Sequence, residues 1–238
     1  MPPPTPLAPY TSPPPTPHTL TLITSLLPVP STWLTQHLLS LHLSSSTSSS
    51  NPPSTILISL TQDQNFHLDA LKKLGIQTQT LQRSTRFTFL GINDIQLDLP
   101  ALSKTVREAL SRASAGEEEV ILMLESVDIL LSSGAADING VMDLILYIQE
   151  TATHTIVSVN ADDPLMRNEQ HAALVVGLGH IAHRVFALRG LDTGVARDVS
   201  GVLRVTGGGG SAEGGKEVLY FVGDGGGVEV FERGEVRS

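Results

Sequence analysis

Leu20-Thr21-Leu22-Ile23-Thr24-Ser25-Leu26-Leu27-Pro28-Val29-Pro30-Ser31-Thr32-Trp33-Leu34 joins an apolar, β-like run to a short loop and then to a helix-like stretch. Strand, loop and helix in that order open a nucleotide-binding α/β fold. There the loop is glycine-rich and ends in Lys-Ser/Thr, so that backbone N–H groups cradle phosphate. Here the loop from Leu27 to Ser31 holds no glycine and no cation, and Pro28 and Pro30 each remove a backbone donor. No lysine or arginine occurs before Lys72. The stretch predicts the fold of a nucleotide-binding protein whose first phosphate site is dead.

The 238 residues suffice for one α/β domain with a sizeable core, and a second full domain is not expected. Hydrophobic residues make up 40% and charged residues only 16%, the balance of a globular protein with uncharged polar decoration. There is no cysteine, which removes disulfides, a cysteine zinc site and thiol catalysis together and fits an intracellular protein. The Met-Pro-Pro-Pro start lacks a basic region followed by an apolar core, so no signal peptide is expected. No apolar run approaches the roughly 20 residues that span a bilayer. A formal charge of −9 argues against an autonomous nucleic-acid binder, which needs clustered Lys and Arg. It leaves room for a subunit that supplies a few contacts within an assembly.

Residues 1–17 are rich in Pro, Thr and Ser and predict a disordered or polyproline tail before a domain over 18–238. The poly-serine tract 44–53 predicts an exposed loop. Strand and helix patterns then alternate: strands at Thr55–Leu60, Arg86–Leu90, Val120–Leu124 and Thr155–Val159, and helices at Phe66–Leu74, Leu99–Ala113, Ile138–Glu150 and Pro164–His180. From Arg184 the pattern becomes a meander of strands at 184–189, 201–206, 217–222 and 228–232. This predicts an α/β fold of the RecA-like, P-loop-NTPase type, with a mostly parallel sheet and C-terminal antiparallel strands, lacking Walker motifs.

Gly210-Ser211-Ala212-Glu213-Gly214-Gly215-Lys216 spells G-x-x-x-x-G-K, but the next residue is Glu217 instead of Ser or Thr, and a strand pattern follows where a helix should start. A glycine-rich hairpin loop over 207–216 is the preferred reading. Val120–Leu124 ending in Glu125 resembles a Walker B strand, although one acid without a loop lysine cannot organise a triphosphate. Asp162-Asp163-Pro164 could bind metal or act as acid and base, but it also makes an ordinary helix start, with Asp163 as cap and Pro164 first in the helix. His171, His180 and His183 suggest a metal set only if one helix carries them, and Gly177 and Gly179 favour a helix end there instead. No G-x-S-x-G elbow anchors a hydrolase triad. Trp33 is the single tryptophan, read as core packing or as a partner contact, and Val228–Gly234 reads as an edge strand open to pairing with another chain.

Taken together, Val218-Leu219-Tyr220-Phe221-Val222-Gly223-Asp224-Gly225-Gly226-Gly227-Val228-Glu229-Val230-Phe231-Glu232-Arg233-Gly234 resembles the closing hairpin of the Elongator complex protein 6 family, in its fungal form. Leu22–Ser25 with Ser31–Leu34, then Ile58–Leu60 with Phe66, Leu71–Ile76 and Phe87–Leu90, are similar to that family's earlier elements. The resemblance implies a RecA-like domain without Walker motifs. It also implies a non-catalytic structural subunit that joins Elongator proteins 4 and 5 in a hetero-hexameric ring. That ring supports tRNA binding for wobble-uridine modification. No cofactor is implied, the partners are the rest of the Elongator complex and tRNA, and the compartment is the cytoplasm, with the nucleus as a second one. Trp33, Phe231 and Arg233 are the expected partner contacts. RNA contacts fall to isolated cations such as Arg83, Arg86, Arg184 and Arg189, with no choice among them. Two other readings stand beside this one: a stand-alone nucleotide-binding enzyme using Gly210–Lys216 or the Asp162/Asp163 pair, and a scaffold that docks through its proline-rich tail.

Overall fold

The computed structural model describes residues 7–12, 16–45, 53–91, 93, 95, 97–116, 119–191, 198–208 and 215–232. Its helices are α1 (Ala8–Thr11), α2 (Thr32–Ser45), α3 (Gln64–Lys73), α4 (Thr78–Arg83), α5 (Leu99–Ala113), α6 (Ile129–Ser132), α7 (Ile138–Thr151), α8 (Asp163–Met166) and α9 (Glu169–Ile181). The strands are β1 (Thr19–Ser25), β2 (Ser54–Ser59), β3 (Phe87–Gly91), β4 (Val120–Glu125), β5 (His154–Asn160), β6 (Arg184–Arg189), β7 (Gly201–Gly207), β8 (Lys216–Val222) and β9 (Val228–Phe231).

They form one sheet in the order β3-β2-β4-β5-β1-β6-β7-β8-β9. The first six positions are parallel and the last three antiparallel. This is the RecA-like α/β architecture that the alternation predicts. β2 and β4 are buried along their whole length, as expected of strands covered on both faces. One face packs on α5, α7 and α9 through Leu22, Ile58, Leu124, Val106, Ile145 and Leu178. The other packs on α2 and α3 through Ile23, Leu57, Met123, Leu34, Leu38 and Leu71.

α2 has no solvent face of the usual width: Leu34, Thr35, His37, Leu38, Leu39, Ser40, His42 and Leu43 are all buried. A helix buried on most sides loses its amphipathic signature. α2 packs on residues of β1, β2, β4, β6, β7 and β8 and on Leu7 and Leu71. Trp33 at the start of α2 packs on Tyr220 of β8, with ring centroids 4.6 Å apart. The β8–β9 turn reaches the end of α3, where a Cβ on Gly226 would lie 3.5 Å from Leu74 Cδ2.

Several local expectations change. Residues 7–12, expected within a tail, instead form α1 and its flanks. Leu7 is fully buried in the α2 core, and Arg184 donates to the carbonyls of Tyr10 (2.9 Å) and Ser12 (2.8 Å). The helix expected over Pro164–His180 is two helices, because the Asn168 side chain accepts from the N–H groups of Gln170 and His171 and restarts the chain as α9. Gly177 and Gly179 do not end it. Gly177 faces α7, where a Cβ would stand in ordinary contact 3.6 Å from Met142 Cε. Helix α4 has no counterpart in the sequence pattern, and none of its residues is buried.

Candidate functional site

In an open α/β sheet, ligands bind outside the carboxyl ends of the strands, where the connections leave in opposite directions. Here that point lies beside β1, whose chain turns into α2 towards β2, while β5 passes through α8 and α9 to β6 on β1's other side. The loop after β1 is a tight turn: Leu26 and Val29 form a β-bridge, and the Val29 N–H donates to the Leu26 carbonyl at 2.8 Å. The Leu27 N–H donates to both carboxylate oxygens of Asp162, at 2.9 and 3.1 Å. Pro28 and Pro30 have no N–H. Every amide from Leu27 to Pro30 is therefore either missing or already used, and the partner of the first is a negative charge.

Asp162, not Asp163, is the residue that precedes α8, and its side chain makes no cap bond there. The expected cap at Asp163 is replaced by this tie across the sheet, and Pro164 lies in the first turn of the helix. The expectation was off by one position: the helix already starts at Asp163, and Asp162, in the cap position, spends its carboxylate on the first loop.

Glu125, at the Walker B position, is buried at the end of β4 and lies 3.2 Å from Nε2 of the equally buried His67 of α3. The two atoms are in contact without a well-aligned hydrogen bond. Phe66 and Phe89 flank the imidazole with ring centroids 5.4 and 5.5 Å away. A carboxylate held behind an imidazole and two rings is not open to magnesium. Ser126 follows with φ of 56°, left-handed backbone that strains a serine, and its N–H donates to Ser158 Oγ at 2.9 Å. Asp128, also buried, accepts from the Asn160 N–H at 3.3 Å and from Asn160 Nδ2 at 3.0 Å. The Ser25 hydroxyl donates to Asn160 Oδ1 at 3.4 Å, and His171 Nε2 lies 2.7 Å from the Asn160 carbonyl. Ser25, Asp128 and His171 thus converge on Asn160, while the Ser126–Ser158 and Leu27–Asp162 bonds are separate ties along the same edge. Buried polar groups satisfied in this way rigidify a structure.

The three histidines do not converge. His171 and His180 stand nine positions apart on α9, about 13 Å along its axis, and His183 lies past its end. Among the described residues no group of three or more His, Cys, Asp or Glu could hold a metal ion. Residues 210–214 of the glycine motif and Arg233 lie outside the described residues. Lys216 begins β8, paired with Val205, and its ammonium reaches Glu232 at 3.4 Å. Tyr10 and Glu232 hold that ammonium above the usual lysine range. Trp33 is half-buried on Tyr220, whose phenol is pushed up by burial. Phe231 sits on β9 opposite Leu219. Of the four arginines, Arg184 is tied to α1, and burial lowers its guanidinium pKa. Arg189 is paired with Glu217 at 3.0 Å. His67, Asp128 and Asn160 carry no motif in the sequence, and their only signal is polarity at or just past the end of a buried strand, or on the helix facing it.

The family model for Elongation complex protein 6 matches residues 92–219, more than half of the chain. The chain belongs to that family. The match spans β4 to β8, so the first loop, and most of the closing hairpin that carries the resemblance, lie beyond it. Human Elongator complex protein 6 is 33% identical over 116 residues, covering 45% of this chain and 43% of the relative. Elongator complex protein 6 homolog of Schizosaccharomyces pombe is 33% identical over 89 residues, covering 37% and 34%. The rat protein of the same name is 27% identical over 115 residues. The matched segment thus spans less than half the length of these relatives of the Elongator protein 6 family.

Proposed function

We propose that this chain is a non-catalytic subunit of the Elongator complex, in which residues 18–238, with α1 packed against their core, act as one RecA-like domain. It joins Elongator proteins 4 and 5 in a hetero-hexameric ring that supports tRNA binding for wobble-uridine modification, in the cytoplasm and also the nucleus. The observation that carries this reading is the first loop. In a chain of this family, the loop amides from Leu27 to Pro30 are spent on Asp162 and Leu26 or replaced by proline. A loop without free amides, without a cation and with a carboxylate beside it is a poor cradle for a polyphosphate. What remains for such a domain is surface. Among the described residues β9 is the last strand of the sheet and carries the half-buried Phe231, and a terminal strand is a natural place for another chain to pair. Among the described residues no helix is long and apolar enough to cross a membrane.

Native mass spectrometry of the chain co-expressed with Elongator proteins 4 and 5 tests the assembly. Two copies of each of three chains are expected. A chain that stays monomeric beside both partners overturns the subunit reading.

A further inference from the structure

The charge of this acidic protein is not evenly spread. Residues 70–93 contain Lys72, Lys73, Arg83 and Arg86 and no acid, whereas the whole chain has 24 acids against 15 cations. The fold gathers this stretch around one feature. The turn between α3 and α4, together with the last turn of α2, borders an open groove of about 390 Å³ at the amino edge of the sheet. Its apolar floor is Leu43, Ile76 and Leu81, and its rim is neutral and polar, with Ser44, Gln77 and Thr80. Lys72 and Lys73 end α3 just before the groove, and Arg83 ends α4 beside it. All three are exposed and have no ion-pair partner among the described residues. Two of the other arginines considered from sequence are engaged, Arg184 with α1 and Arg189 with Glu217.

We infer that this groove is where the chain touches RNA: it takes one unpaired nucleotide, and Lys72, Lys73 and Arg83 hold the flanking phosphates. The inference rests on the RNA-supporting role proposed above and says where that role is exercised. Helix-end cations alone would be explained by the helix dipole. The dipole does not explain the absence of acids from residues 70–93, nor the cavity between the two helix ends. The volume lies in the range of small-ligand sites. The amide of Gln77 and the hydroxyl of Thr80 offer both donors and acceptors, which is how a base edge is read on an unpaired strand. A paired base has its edge occupied and cannot enter. Among the described residues the lining contains no aromatic ring. Affinity therefore comes mainly from phosphate charge and depends strongly on salt.

The test is fluorescence anisotropy of the full chain, alone and within the co-expressed assembly, with a labelled unpaired oligoribonucleotide and with a fully paired, blunt-ended RNA duplex. The triple charge reversal Lys72→Glu, Lys73→Glu and Arg83→Glu is expected to weaken the unpaired strand at least tenfold. It should also flatten the log–log salt slope by about two, at roughly 0.7 for each phosphate no longer neutralised. Thr80→Trp, which fills the groove without changing charge, is expected to weaken the unpaired strand and leave the duplex unaffected. Unaltered affinity in the triple variant overturns the inference, and so does equal weakening of both RNAs with Thr80→Trp or full competition by free ATP. Photo-cross-linking of the unsubstituted chain to 4-thiouridine RNA gives a readout that needs no variant: adducts within residues 75–84 support the groove, and adducts confined elsewhere sink it. A ring that forms but shows no dependence on these residues removes the groove and leaves the subunit reading standing.

Discussion

The two ends of α2 lie at opposite edges of the same sheet and treat polar groups in opposite ways. At its amino end, the carboxyl edge of the sheet, Leu27, Asp162, Ser25, Asn160, Asp128 and His171 satisfy one another, and Glu125 is closed behind His67. At its carboxyl end, the amino edge, the chain leaves an open groove with uncommitted cations beside it, and neutral histidines are buried nearby. In a nucleotide-binding relative of this fold the first of these edges would be the ligand site. Here the ligand-capable surface has moved to the other edge. Losing a phosphate site involves more than losing a lysine: the vacated space must be filled with groups that satisfy each other, because an unpaired buried donor or acceptor costs ~1–3 kcal/mol.

The sealed edge should break most severely at its buried pair. His67→Leu or Glu125→Leu alone leaves one buried polar group uncompensated and is expected to cost ~3 kcal/mol in urea unfolding, whereas the double leucine variant should cost much less than the sum. Additive single effects would mean that the 3.2 Å approach of the two side chains carries no coupling.

The amino edge should show itself through pH. Burial, with His154 nearby, lowers the His42 pKa from 6.5 to about 4. Above pH 6.5 His42 is neutral in both the folded and unfolded states, and stability is full. Between pH 6.5 and about 4 only the unfolded chain takes up the proton, so stability falls as pH falls, by up to ~3 kcal/mol in total. His37 and His154, also lowered by burial, act in the same direction, Glu119 beside His154 opposing part of it. His42→Leu should flatten most of this slope in denaturation midpoints measured across that range; an unchanged slope would move the effect to another group.

A smaller effect is expected at the loop tie. Asp162→Ala removes the acceptor of the Leu27 N–H and should cost ~1 kcal/mol, with faster hydrogen exchange at Leu27 and little change elsewhere. Unchanged exchange at Leu27 would mean that the turn holds itself.

Legibility in the sequence followed the distance over which each feature is decided. The buried strands β4 and β5 show as continuous apolar runs, and α5 matches its expected span of Leu99–Ala113 because its cap at Asp98 and its apolar period are both local. The loss of the phosphate loop was legible too, since proline and the absence of glycine speak for themselves. α4 has no fully buried residue and a single apolar one, Leu81, and so has no period to read. α1 was hidden because its anchor, Arg184, lies 174 positions from Tyr10. The carboxyl edge was legible only in part. The acid at the end of β4 stands out, but its partner His67 sits on another helix, and the Asp162–Leu27 tie spans 135 positions and competes with a plausible local cap. Such choices are made by tertiary packing, and no window of sequence contains both partners.

The central claim, that the nucleotide edge is sealed from within, is tested most directly by calorimetric titration of the isolated chain with Mg²⁺–ATP, followed by hydrogen exchange at Leu27 and Val29. The account predicts a Kd weaker than about 1 mM and no added protection at either amide. Saturable binding at ~10 μM, with both amides newly protected by the nucleotide, would contradict it.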